Sequence, residues 1–400
     1  MKKKIFMASY GGGHANILKS VYQYFDKNYF GKVDIVYLAL TAAVGVLKQY
    51  EIPYITLSEA LQNIECYSQI MKIGQSVANQ YHTEGLGIEF NDTVAYYGTG
   101  IYDLKQKYGE TKAFQMFSEM GRKAFSPSSV MKKIIKKYNP DIVVITASPR
   151  AEEACGIAAT ELNIPVVRIN DLPITISPLR HKCYLCVMNQ WAKEEALKKS
   201  GLTEESIYVT GQPVFEDDLI YDDVQLSIVK NEIQINRYNN MVVFFTTPAK
   251  SQYDELKALY TIAKSFSSIL FVIKAHPNQK IEDFPKCELS NVYFSKRRAK
   301  EFLQLCDIAI TEFSTTGLEA VLLGKPLIEE NFDRITPIMD YHKMGIAEVA
   351  YDVKMMEQEI VDFLNPNSKR YKKFLKQKGK FLNVTNATKN ICRLILEKAL

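Results

Sequence analysis

An apolar run, Ile5-Phe6-Met7-Ala8, leads through Ser9-Tyr10 into three glycines and a histidine, Gly11-Gly12-Gly13-His14, and then into Ala15-Asn16-Ile17-Leu18-Lys19-Ser20-Val21-Tyr22. The first part reads as a buried strand and the last as a helix. A strand that enters a helix through glycines is the outline of a βα unit. Glycine allows the positive φ that such a turn needs and lets a ligand approach the backbone. The helix start behind it carries unpaired N–H groups that suit an anion or a sugar hydroxyl. His14 on this turn is a candidate base or hydrogen-bond donor. An ordinary βα turn has the same outline, so the motif gains weight only from the rest of the chain.

Strand-like and helix-like segments alternate throughout. Strands are expected at 4–9, 33–38, 141–146 and 165–169, with 183–188 as a last strand of the first half. The second half gives strands at 241–246, 269–275, 292–294, 308–311 and 326–329 and helices at 252–266, 299–306 and 316–323. A final long helix is expected from about 384 on. The expected class is α/β: two doubly wound Rossmann-like domains facing across a cleft. The expected division is 1–210 and 211–400, with a hinge near 211–240, where Gly211-Gln212-Pro213-Val214 precedes Glu216-Asp217-Asp218 and a polar stretch. In such sheets ligands bind beyond the carboxyl ends of the strands.

A net charge of +5 on 400 residues is too mild for a nucleic-acid binder and suits a phosphate-bearing ligand or an anionic membrane surface. The longest apolar stretch, 35–47, is too short to span a bilayer. Met1-Lys2-Lys3-Lys4 is followed by too little apolar sequence for a secretion signal. Seven scattered cysteines argue for a reducing compartment, and the lone pair Cys183/Cys186 lacks the second pair that a zinc site requires. The expectation is a cytoplasmic protein. In 91–137, Ala113, Phe114, Phe117, Met120, Gly121, Ala124 and Phe125 share a helical face near Arg122, Lys123, Lys132, Lys133, Lys136 and Lys137. That face reads either as core or as a peripheral contact with the inner face of the membrane.

Three strand ends in the second half carry chemistry. Thr246-Thr247-Pro248-Ala249-Lys250-Ser251 offers hydroxyls and a lysine to a phosphate. Lys274-Ala275-His276-Pro277-Asn278 offers cations to a diphosphate. In Thr311-Glu312-Phe313-Ser314-Thr315-Thr316-Gly317-Leu318-Glu319, the hydroxyls of Ser314, Thr315 and Thr316 can bond phosphate oxygens or cap a helix. Glu319 in the first turn can accept both hydroxyls of a ribose or simply complement the helix dipole. Gly324-Lys325-Pro326 follows and leads into another strand.

This last segment, with Val209-Thr210-Gly211-Gln212-Pro213-Val214 and Tyr10 to His14, resembles the two-domain GT-B glycosyltransferases. The glycine turn is similar to that of the lipid-intermediate N-acetylglucosaminyltransferase of peptidoglycan synthesis and of galactolipid synthases. The C-terminal half also resembles the hydrolysing UDP-N-acetylglucosamine 2-epimerases and, more loosely, teichoic-acid glycerophosphotransferases. The resemblance implies a transferase of cell-surface polysaccharide or glycolipid synthesis. It implies acceptor contacts at Gly11, Gly12, Gly13 and the catalytic His14, joined by Ser148, Arg150, Asn170 and Asp171 just past strand ends. It implies that Thr246, Lys250 and His276 hold the diphosphate with Ser314, Thr315 and Thr316, and that Glu319 holds the ribose. The donor is expected to be UDP- or CDP-linked and the acceptor a glycan or a lipid-linked group. No cofactor and no metal are expected to be required, since no Asp-x-Asp pair stands in a suitable site.

The chain departs from these families at three places. Thr246 to Ser251 replaces the glycine-rich loop that opens the second domain of the peptidoglycan enzyme. Glu329-Glu330-Asn331-Phe332-Asp333-Arg334 lacks that enzyme's sugar-reading glutamine and asparagine. Gly11 to His14 stands where the epimerases have an arginine-containing turn. A sugar-nucleotide epimerase or hydrolase, and a non-catalytic nucleotide-sugar binder, are the alternative readings.

Overall fold

The computed structural model describes residues 2–83, 87–172, 176, 178–217, 223–247, 252–276, 278–337 and 340–399. The chain forms two compact units. The first holds the residues up to Glu216 together with those from Val384 on; the second is Asp217–Asn383.

In the first unit seven strands form one parallel sheet: β1 Lys3–Tyr10, β2 Val33–Leu40, β3 Ile55–Thr56, β4 Ile142–Ile145, β5 Val166–Ile169, β6 Tyr184–Val187 and β7 Ile207–Val209, in the order β3-β2-β1-β4-β5-β6-β7. The order reverses between β1 and β4, which places the glycine turn and the residue after Ile145 at a topological switch point. Central strands lie between helical layers, so β4 and β5 are buried along their whole length and read as unbroken apolar runs. The first helix, Gly12–Tyr29, buries Ala15, Ile17, Leu18, Val21 and Phe25 against the sheet.

The second unit has six parallel strands: β8 Asn240–Phe245, β9 Ile269–Lys274, β10 Val292–Ser295, β11 Ile308–Thr311, β12 Leu327–Glu330 and β13 Glu348–Ala350, in the order β10-β9-β8-β11-β12-β13. Each unit is therefore the doubly wound α/β sheet that the alternation predicts. The expected strands all form, with ends shifted by one or two residues. The short strands β3, β7 and β13 lie at or next to sheet edges and have too few residues for a clear periodicity.

One expectation is corrected and another is narrowed. The last helix, Ala387–Lys398, does not belong with the second unit. Ile391, Cys392, Leu394 and Ile395 pack into the same core as Leu18, Val21 and Phe25. Gly211, at φ +87, meets this segment so closely that a Cβ there would lie 2.2 Å from the Val384 carbonyl oxygen. The aromatic face in 91–137 is the second. Gly121 ends the helix Glu110–Met120 with φ +55, and Phe117 and Phe125 then turn inward and stack on each other at 5.5 Å. Both rings are buried and form core, while Phe114 of the same expected face is half-buried and Met120 is exposed. No helix among the described residues is long and apolar enough to cross a membrane.

Candidate functional site

In the first unit the site grows from the β1 end. Gly11 takes φ +84, and no side chain caps the helix that follows. A Cβ on Gly11 or Gly13 would meet nothing within 4 Å, so a ligand can approach the turn at these positions. Half-buried His14 points its Nδ1 at Thr146 Oγ1, 2.7 Å away, at the end of β4. Thr146 Oγ1 in turn donates to Glu152 Oε2 at 2.6 Å. The Thr146 N–H gives Glu152 Oε2 a second bond at 2.9 Å, and the Tyr10 N–H gives Oε1 one at 2.5 Å. Glu152 and Thr146 are fully buried. Burial outweighs these three hydrogen bonds and raises the Glu152 carboxyl to about 8. Burial lowers the His14 imidazole, with Asp171 pulling upward and Arg168 downward, so the ring stays neutral near pH 7.

The other expected residues of this unit surround the same strand ends. Asn170 is buried, and its Nδ2 donates to the Leu172 carbonyl at 2.5 Å. Asp171 Oδ1 accepts from the Leu172 N–H at 2.8 Å, and its charge reaches His14. Gln212 Nε2 pins this loop by donating to the Asn170 carbonyl at 2.8 Å. Ser148 is buried and spends its hydroxyl on the Pro149 carbonyl at 3.4 Å. Arg150 sits at φ +73, a strained value for a residue with a Cβ, with its guanidinium over the Tyr10 ring at 5.2 Å. Thr146 and Glu152 are the members of this hydrogen-bonded cluster that sequence reading did not single out. The signal was positional: Thr146 follows Ile145, which pairs with Ala8 beside the glycine turn.

In the second unit three loops are tied at the ends of β8, β9 and β11. Thr246 Oγ1 accepts from the His276 N–H at 2.9 Å and donates to Gln279. Gln279 Nε2 donates to the Thr247 carbonyl at 2.9 Å, and Thr247 Oγ1 donates to Glu312 Oε2 at 2.6 Å. Thr246 and His276 are thus neighbours, as expected. Lys274 is buried, and its Nζ turns back to the Ala275 carbonyl at 2.5 Å, so it does not point outward. Lys250 lies outside the described residues. Ser314 Oγ lies 3.0 Å from Thr316 Oγ1, and the Thr316 N–H donates to Ser314 Oγ at 3.3 Å. Thr315 is exposed and makes no side-chain cap, and Glu319 stands half-buried in the first turn of Thr316–Leu322. The buried Tyr341 hydroxyl holds the Ser314 carbonyl at 2.5 Å from below. Among the described residues, no group of three His, Cys, Asp or Glu is placed to hold a metal. All seven cysteines are free, and burial pushes the Cys183 and Cys186 thiols up to about 12.

No family model and no curated protein matches the chain in sequence. Solved structures match it in fold. A UDP-GlcNAc 2-epimerase from Neisseria meningitidis, bound to UDP-GlcNAc, is 14% identical, with 99% of each chain covered and a TM-score of 0.54. The glycotransferase of kitacinnamycin is 10% identical, with 100% of each chain covered and a TM-score of 0.57. The wall teichoic acid polymerase TagF, soaked with CDPG, is 12% identical, with 100% of this chain and 89% of that one covered and a TM-score of 0.50. The fold is the GT-B fold of these proteins, and at such identities the likeness establishes the fold alone.

Proposed function

We propose that the protein is a glycosyltransferase that moves a sugar from a nucleotide-activated donor to an acceptor hydroxyl, in the synthesis of cell-surface polysaccharide or glycolipid. The observation that carries this reading is the relay His14–Thr146–Glu152 beside an uncapped glycine helix start. A neutral imidazole fixed through Nδ1 is what removing a proton from a hydroxyl requires. In the proposal Gly11 to Gly13, Ser148, Arg150, Asn170 and Asp171 serve the acceptor. Thr246, His276, Ser314, Thr315 and Thr316 serve the diphosphate and Glu319 the ribose; Lys250 joins them on sequence grounds alone.

The acceptor oxygen attacks the anomeric carbon as the bond from that carbon to the diphosphate breaks. The acceptor proton passes to His14 Nε2, and the nucleoside diphosphate leaves with the electron pair. Negative charge grows on the leaving phosphate, where hydroxyl and N–H donors lower the barrier. The ligands named in the epimerase and polymerase structures support a UDP- or CDP-linked donor.

The test is a melting series with UDP and CDP, followed by turnover of a nucleotide sugar with and without acceptors. A ligand at a hundred times its Kd adds about 2.7 kcal/mol. Acceptor-dependent release of nucleoside diphosphate supports transfer. Conversion of the sugar nucleotide without an acceptor selects epimerase or hydrolase, and binding without any turnover selects a non-catalytic binder.

A further inference from the structure

Beside Gly11 the first unit holds a cavity of about 260 Å³. Its walls include Val44, Leu57, Tyr81, Tyr96 and Tyr97. The rings brace one another: Tyr81 stacks on Tyr97 at 4.6 Å, and Tyr96 meets Tyr97 edge-on at 5.6 Å. The buried Phe117–Phe125 stack supports Tyr97 from behind, at 5.9 and 6.0 Å. The cavity is thus braced by rings, apolar, and roomy enough for one ring or a short isoprenoid chain. Its carboxylate, Asp92, is already committed, with Oδ1 accepting from the Ser58 hydroxyl at 2.6 Å and the Ser58 N–H at 3.1 Å.

Two guanidinium groups meet at Tyr10, which also lines the cavity. Arg122 Nη1 donates to Tyr10 Oη at 3.1 Å, and Arg150 lies over the Tyr10 ring. Neither makes an ion pair among the described residues, although both flank a cavity wall, where a charge is costly to leave unmatched. Arg150 Nε is also buried with no hydrogen-bond partner there. Two guanidinium groups with no ion-pair partner among the described residues, beside one apolar cavity whose carboxylate is held by Ser58, fit an anionic group attached to an apolar one.

We infer that the acceptor is an amphipathic anion. A phosphate or carboxylate lies against Arg122 and Arg150, and an apolar group of ring or short-prenyl size fills the cavity. This rests on the transferase reading for its link to His14. The binding site itself stands on the cavity and its cations alone.

The test titrates the full chain, saturated with UDP so that a nucleotide site is occupied, with inorganic phosphate, phenol, phenyl phosphate and geranyl phosphate. The organic phosphates should bind at least tenfold more tightly than phosphate or phenol. Phenyl over geranyl phosphate identifies an aryl acceptor, and the reverse an isoprenoid one. Arg122→Gln, at an exposed position that leaves folding intact, should weaken the preferred phosphate about tenfold, with recovery in Arg122→Lys. Val44→Trp should fill the cavity and abolish the preference while phosphate binding remains. Equal affinities for inorganic and organic phosphates, or an Arg122→Gln protein that binds unchanged, overturns the inference. Failure of UDP to bind counts against the transferase reading and leaves the titration interpretable.

Discussion

His14 and Glu152 are joined through one hydroxyl, that of Thr146, at 2.7 Å from the first and 2.6 Å from the second. That hydroxyl has a single proton to give. When Glu152 is ionised, Thr146 donates to it and accepts from His14 Nδ1–H, which leaves Nε2 with a free lone pair. When Glu152 is protonated, the chain reverses and the imidazole proton moves to Nε2. The base form therefore belongs to ionised Glu152.

The first prediction concerns pH. The Glu152 carboxyl titrates at about 8, so kcat/KM should rise as pH passes upward through that value. Glu152→Gln and Thr146→Val should both remove this limb. A wild-type profile retained in either variant removes the relay from the mechanism.

His14 itself should matter to turnover and not to the nucleotide. His14→Ala is expected to lower kcat by roughly a hundred- to ten-thousand-fold, the usual loss for a general base. UDP or CDP affinity, measured by calorimetry, should stay within a factor of about two. His276→Ala should show the opposite pattern. Normal transfer by the His14 variant would leave the glycine turn a purely structural feature.

Glu319→Ala tests the ribose contact. Loss of a charge-assisted hydrogen bond should weaken nucleotide binding by about 1.5–3 kcal/mol with little change in melting temperature. A 2′-deoxynucleotide should lose affinity against the wild type and almost none against the variant. Equal discrimination by both proteins places Glu319 away from the sugar.

A buried ion network gives a stability prediction. Glu153 accepts from Arg168 at 2.5 Å and lies 3.0 Å from His181 Nδ1. Burial pushes its carboxyl up, but His181 and Arg168 outweigh that and hold it at about 2. The folded carboxyl thus titrates below its unfolded value. Its stabilisation is complete above about pH 4.5 and disappears as pH falls through about 2. Glu153→Gln should cost about 3–5 kcal/mol near neutral pH, because it strands buried Arg168. Chemical denaturation at stepwise lower pH should show the gap closing below about 4.5. A gap that is constant with pH argues that packing and not charge is lost.

Most of the architecture was legible because buried parallel strands announce themselves as apolar runs, as 142–145 and 308–311 do. His14 stood out because glycines marked its turn. Thr146 and Glu152 did not, because neither lies in a pattern of its own; their role comes from β4 pairing with β1, a contact 137 residues apart in sequence between Ile5 and Ile142. Phe117 and Phe125 left core and membrane surface undecided for a related reason. Helical spacing put them on one face, and the positive φ of Gly121 redirected the chain before Phe125 could join it. The place of 387–398 was also invisible locally, since an amphipathic helix records that it packs but not against what.

The return of that helix to the first core makes the second unit an insertion: Asp217–Asn383 is continuous, while the unit around it is assembled from two stretches of chain. During synthesis the order of completion is therefore inverted. The second unit has all its strands before the first unit has all its core, and the part of the protein made earliest must wait with an open apolar groove over Leu18, Val21 and Phe25 until Ile391 and Ile395 arrive. A chain stopped at Asn383 should accordingly show a protease-resistant fragment from the second unit and rapid cleavage within the first. Uniform resistance in both would mean that the final helix only covers a core already closed.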